Sequence, residues 1–307
     1  SCGLKSTGKG KPRLRRELRN NAMIFHLLEI WGLPQTRRGS GSDPRQYRSQ
    51  KGFTCVLPSI KMPCHAEGIP VELEHVNLEH VRVYLIFSQK GSSAWGKCNN
   101  ATCEFHHLAH HSADVAAVFL ELIEQPHLRA RANAACGQPL GKEELRCLAA
   151  LVFLHDIGKL APGFQAKGWP EGADVTPRGH LECGWLWLTQ GSPESLGGNI
   201  AHMLRWSNAP GLEDWFGALF AHHGRPVPKP SPRTARVAFP SGKVAGYDWK
   251  AQEAVMGRAL LDWFPEIMTS SAPEPVPPLV HFFCGLLTLA DWIGSDRRAF
   301  PFESTFR

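Results

Sequence analysis

The segment LVFLHDIGKLAPGFQ (151–165) sets His155 and Asp156 side by side at the end of an apolar run. Two ionisable groups in such a place are costly to bury unless something binds them. Fifteen histidines are spread over the 307 residues. Those of chemical interest fall near the ends of helix-like segments: His110 and His111, His155 with Asp156, His180, and His222 with His223. LADWIGSD (289–296) adds Asp291 to an otherwise apolar segment. A lone histidine beside a helix is ordinarily surface or satisfied core, and a pair such as His106–His107 is ordinarily polar loop. It is the set that points to metal, for which imidazole is the commonest side-chain ligand.

Adjacent residues on a helix point about 100° apart. On a helix, His155 and Asp156 would not serve one ion as ordinary neighbours on one face. They would serve a pair of ions if the carboxylate bridged both and the imidazole bound one. Two metals about 3.5–4 Å apart are the usual apparatus for hydrolysing a phosphodiester. A mixed histidine and carboxylate shell suits iron, manganese, cobalt or nickel better than magnesium, which prefers oxygen.

The elements that must carry these residues read as helices. HSADVAAVFLELIEQ (111–125) and EELRCLAALVFLHDIGKL (143–160) have apolar residues at helical spacing, and Gly158 is placed to end the second. Further helices are expected at 179–190, 195–207, 212–222, 249–264 and 278–294, interrupted by irregular stretches at 225–243 and 269–278. No alternation suggests a large sheet, so from about residue 93 onward the chain reads as all-α.

Residues 1–92 differ, and the expected organisation is a basic N-terminal extension over 1–92 and a helical domain over 93–307. Within the extension, 37–52 has linker composition and VRVYLIF (81–87) suits a strand. GLKSTGKG (3–10) nearly spells a phosphate-binding loop, but Gly10 stands where Ser or Thr must hold magnesium, and only two residues precede it. The formal charge is +6, yet residues 1–51 carry twelve of the 34 basic and three of the 28 acidic residues, leaving the body about three charges negative. Such an arm suits nucleic acid or is simply a solvated tail.

With 43% hydrophobic residues the chain supports a sizeable core. It has no apolar run of about 18 residues and no apolar segment of a secretory signal at its start. Nine cysteines without regular spacing argue against a disulfide framework and fit a reducing cytoplasm.

The ordered motifs AWGK (94–97), HHSADVAAVF (110–119), FLHDIGKLAPGFQ (153–165), RGHLECGW (178–185), HHG (222–224) and LADWIGSD (289–296) resemble those of the HD nuclease of type I CRISPR interference. The resemblance spans roughly residues 93–300 and implies an HD-domain helical bundle. It implies His111 as the first metal ligand, His155 and Asp156 as the name-giving pair, His180 as the intermediate ligand, His222 and His223 as paired ligands, and Asp291 as the late carboxylate. The implied grouping is His111, His155, Asp156 and Asp291 around one divalent transition metal, and Asp156, His180, His222 and His223 around another. It also implies a superfamily 2 helicase, in cis or in trans, and recruitment to DNA already opened by an RNA-guided surveillance complex. Sequence recognition would then belong to the guide.

Lys159 follows Asp156 by about one helical turn, which suits a cation offsetting charge that grows on phosphate in the transition state. Asp114, one turn after His111, suits orientation of a ligand imidazole or a local cap. The acid-free stretch 224–247 leaves directly from the histidine pair, and its Arg225, Lys229, Arg233 and Arg236 are candidates to guide a DNA backbone. Trp185, Trp187, Trp206 and Trp215 suit base stacking or core packing. The expected activity is metal-dependent hydrolysis of DNA, chiefly single-stranded, with Asp156 and Lys159 as catalytic residues. Two other readings compete: an HD phosphohydrolase of nucleotides or cyclic dinucleotides, and a non-catalytic adaptor to a helicase or surveillance complex.

Overall fold

The computed structural model describes residues 93–99, 104–169, 175–189, 196, 211–228, 230, 234 and 237–303. The expectations for 1–92, the helix at 195–207, Trp206, Lys229, Arg233 and Arg236 lie outside the described residues. The remainder is helical, as expected, with one addition at its start. Strands β1 (Trp95–Asn99) and β2 (Glu104–His107) form an antiparallel pair where the sequence reading had only helix. Their register pairs Trp95 with His107 and Lys97 with His106, so Gly96 is an extra residue in the ladder, a bulge.

Helix α1 (Leu108–Ile123) starts directly from β2, with the His107 imidazole accepting from the Ala109 N–H as its cap. It is apolar nearly all round and accordingly runs through the core. A turn leads to α2 (Pro126–Cys136), not anticipated above, which opens on Pro126 and closes on Gly137 at φ 79°. Helix α3 (Lys142–Phe153) begins where Glu144 accepts from the Gly141 N–H at 2.6 Å. Then come a 3-10 turn (Ile157–Leu160), the short α4 (Pro162–Gln165), α5 (His180–Thr189), α6 (Gly211–Leu219), α7 (Trp249–Trp263) and α8 (Pro277–Gly294). Helix α8 opens on two prolines, whose missing N–H groups cost nothing in a first turn.

The core lies between α1, α3 and α8. Phe119 of α1 meets Phe283 of α8 at 5.6 Å between ring centres, and Trp215 of α6 meets Phe283 at 5.0 Å. Trp185, Trp187 and Trp215 are all buried, so the stacking role considered for them gives way to core packing. Trp185 donates to the Val227 carbonyl and Trp215 to that of Pro273. Among the described residues no single helix is long and apolar enough to cross a membrane.

Candidate metal centre

The helix expected over 143–160 stops at Phe153 instead. Leu154 through Asp156 form a turn, with Asp156 at φ −104° and ψ 15°, before the 3-10 turn resumes. The ends of the helix therefore do not fix the directions of His155 and Asp156; the turn does. The same device recurs at His222, which follows the end of α6 by three residues. In both cases the ring Nδ1 lies on the carbonyl three residues back: His155 on Val152 at 2.9 Å, His222 on Leu219 at 2.5 Å. A carbonyl can only accept, so Nδ1–H donates, and Nε2 is the atom aimed into the site.

Five elements deliver the set. Helix α1 supplies His111, the turn after α3 supplies His155 and Asp156, and the first residue of α5 is His180. The turn after α6 supplies His222 and His223, and α8 supplies Asp291. His111, His155, Asp156, His222 and Asp291 are buried, while His223 is exposed. The two oxygens of Asp156 face different partners. Oδ2 lies 3.1 Å from His111 Nε2 and 3.2 Å from His155 Nε2. Oδ1 lies 3.3 Å from His180 Nε2 and 3.9 Å from His222 Nε2. Asp291 Oδ1 closes the first side, 3.5 Å from His111 Nε2 and 3.7 Å from His155 Nε2. His223 closes the second, its ring centre 4.5 Å from that of His222 and 5.0 Å from that of His180.

Among the described residues, three combinations bring ligand atoms within 4.8 Å of one another: His111, His155 and Asp291; His180, His222 and His223; and His155, Asp156 and His222. Buried polar atoms are normally hydrogen-bonded. Here His155 Nε2, His180 Nε2, His222 Nε2, His111 Nδ1 and Asp156 Oδ1 have no such partner. All but His111 Nδ1 are among the facing atoms just described, and a cation is the partner that several inward-facing lone pairs share. The donor set therefore fits a metal.

The electrostatics of three of the rings agree. Burial drives the pKa of His111 down to about 4, of His222 to about 4 and of His180 to about 3, so these rings are neutral at pH 7. Burial also lowers that of His155, but Asp156 and Asp291 outweigh it and raise the value to about 9. Burial works against ionisation of Asp156, yet Lys159, His155 and His180 hold its carboxyl well below the usual range. Asp291 is likewise depressed despite burial, by His111 and His155. His155 is thus protonated at pH 7, and an ion held on this side would displace that proton.

Lys159 is buried, with Nζ 2.5 Å from Asp156 Oδ2 and 2.8 Å from the Gly96 carbonyl. That carbonyl belongs to the bulge. Gln165, wholly buried, ties the same two segments together. Its oxygen accepts from the Trp95 N–H, and its amide donates to the carbonyls of Trp95 and Lys159. Gln165 sits in the quoted motif FLHDIGKLAPGFQ, but nothing local in the sequence marks this role.

Asp114 pairs with His106, at 2.8 Å, and not with a ligand imidazole. His106 accepts from the Glu303 N–H and stacks on Phe302. Of the proposed DNA-guiding residues, Arg225 is exposed two positions beyond His223.

The Cas3, HD domain family model matches residues 95–300. The CRISPR-associated endonuclease/helicase Cas3 of Thermus thermophilus is 32% identical over 223 residues, which is 68% of this chain and 22% of that protein. The CRISPR-associated nuclease/helicase Cas3 of Streptococcus thermophilus is 30% identical over 181 residues, 53% of this chain and 19% of that protein. The chain thus spans about a fifth of the length of these relatives. A solved chain described as "CRISPR RNA-guided surveillance complex, pre-nicking" is 25% identical, with a TM-score of 0.50, covering 69% of this chain and 26% of that one.

Proposed function

This chain belongs to the Cas3 HD-domain family, and on that premise we propose that it is a metal-dependent DNA nuclease of type I CRISPR interference, acting chiefly on single strands. The observation that carries the reading is Asp156. One carboxylate, wholly buried, turns one oxygen to His111 and His155 and the other to His180 and His222.

His111, His155, Asp156 and Asp291 would hold one divalent ion, and Asp156, His180, His222 and His223 a second. Iron, manganese, cobalt or nickel suits this donor set better than magnesium. Such ions would supply positive charge to the phosphodiester and acidify the attacking water. The protein's own part is to fix the ligands. The carbonyls of Val152 and Leu219 set the ring faces, and the turn after α3 aims both oxygens of Asp156. Lys159 offsets charge on a phosphoryl oxygen as it develops, from a position held by the Gly96 carbonyl. Arg225 guides the strand at the histidine-pair side of the site. The likeness to a chain of a surveillance complex supports recruitment by an RNA-guided assembly, and the helicase in the relatives' names supports a superfamily 2 helicase in cis or in trans; the proposed place of action is the cytoplasm.

The test is metal-stripped protein incubated with circular single-stranded DNA, with manganese, iron(II), nickel or magnesium added back singly and Asp156→Ala as control. Cleavage with a transition metal, absent in the variant, is expected. No cleavage with any metal by folded protein, combined with turnover of small nucleotides, would replace this reading with the phosphohydrolase one.

A further inference from the structure

Among the described residues two lysines approach the carboxylates of the site, and only one has a part in the chemistry above. Lys159 forms the buried floor. Lys97 stands at the rim, its side chain 30% exposed and its Nζ 3.6 Å from Asp291 Oδ1. It is the last residue of AWGK. The bulge at Gly96 places it: a Cβ at Gly96 would lie 2.9 Å from His111 Cβ, so the strand lies directly on the first turns of α1. Lys97 thereby reaches Asp291 from the solvent side, while His111 and His155 reach the same oxygen from within.

We propose that Lys97 is a substrate-contacting residue, holding a phosphate of the DNA strand at the mouth of the first metal group. This rests on the nuclease reading above. Asp291 Oδ1 has one negative charge to share among three nitrogens. A divalent ion held by His111, His155 and Asp291 would place positive charge beside the ammonium, and like charges at that range repel. The ammonium would then be free to leave Asp291 for another anion. Its stem is unbranched and flexible, it already reaches water, and the anion that enters the site is the phosphodiester. A lysine suits this exchange because it acts as a mobile point charge. Lys97 therefore balances Asp291 in the empty protein and the substrate in the loaded one.

The experiment compares the full chain with Lys97→Gln, Lys97→Arg and Asp291→Ala. Manganese binding is read by calorimetry, and KM and kcat for oligothymidylate are read across a salt series. Lys97→Gln is expected to bind manganese at least as tightly as the wild type. Its KM should rise about tenfold, the loss of one charged contact. The slope of log kcat/KM against log salt should fall by about 0.7, the share of one single-strand phosphate. Lys97→Arg should restore most of both. Manganese binding by Lys97→Gln as weak as that of Asp291→Ala would overturn the proposal and leave Lys97 as a support for the ligand. An unchanged KM and salt slope would overturn it as well. Failure of the wild type to cut DNA would instead remove the nuclease reading, and this inference with it.

Discussion

Gly158 and His180 meet backbone to backbone: a Cβ at Gly158 would lie 1.9 Å from the His180 carbonyl oxygen. The glycine that follows Asp156 by two residues thus lets α5 come close enough for His180 to face Asp156 Oδ1. Gly158→Ala must push α5 outward. The expected result is loss of His180 from the second group. With the two ions proposed above, bound metal should fall toward one per chain, and cleavage should fall about a hundredfold. Elemental analysis of the purified variant checks it. Overpacking of this kind also costs stability, about 1–3 kcal/mol. Two ions retained with normal cleavage would show that α5 does not depend on this contact.

Ser295, one turn after Asp291, donates its hydroxyl to Asp291 Oδ1 at 3.0 Å. Groups that orient a metal ligand from behind typically alter affinity about 10–100-fold when removed. Ser295→Ala is expected to weaken the first metal about tenfold and leave the second nearly unchanged. A manganese titration resolving two steps reads the difference. Equal weakening of both steps would mean that the hydroxyl acts on the fold as a whole.

Gln165→Leu keeps the volume but leaves the Trp95 N–H and the carbonyls of Trp95 and Lys159 without their side-chain partner. Buried polar groups stranded in this way cost about 1–3 kcal/mol each and do not add fully. A loss of about 2–4 kcal/mol in urea unfolding is expected. Cleavage should fall with it, because Lys159 loses the brace that holds its segment against the bulge. Full stability would show that water replaces the amide.

The cap of α1 has a pH signature. Burial, with the charges of His110 and His106, lowers the pKa of His107 from 6.5 to about 4. Between those values the unfolded chain binds a proton that the folded chain refuses, so stability falls as pH drops from 6.5 toward 4. His107→Asn keeps an acceptor for the Ala109 N–H and removes the titration. In metal-stripped protein the variant should lose less stability than the wild type between pH 6.5 and 4, read by urea unfolding at each pH. Parallel losses would show that His107 contributes none of the pH dependence.

Much of this molecule was legible in its residues. Apolar spacing placed α1, α5, α6, α7 and α8 within a few residues of their ends, because a buried helix face must repeat at 3.6 residues. It overran α3, since IGKL continues the apolar rhythm although the backbone turns after Phe153. It missed β1 and β2, because a short bulged pair has too few alternating positions to register. It also missed α2, whose apolar face is mostly small alanines and of which only Ala132 is buried.

The sequence by itself determined which side chains are candidates for metal chemistry: histidines and aspartates set in ordered motifs, in a helical frame. Only the tertiary structure decided how they share the work. Asp156 faces both groups because a turn, not a helix, carries it. Lys159 depends on a bulge distant in sequence and on the glutamine that ties its segment there, and Asp114 belongs to His106. Spacing along the chain constrains neighbours within one element. Which oxygen faces which ring depends on close approach between elements, and that is set by packing at positions such as Gly96 and Gly158.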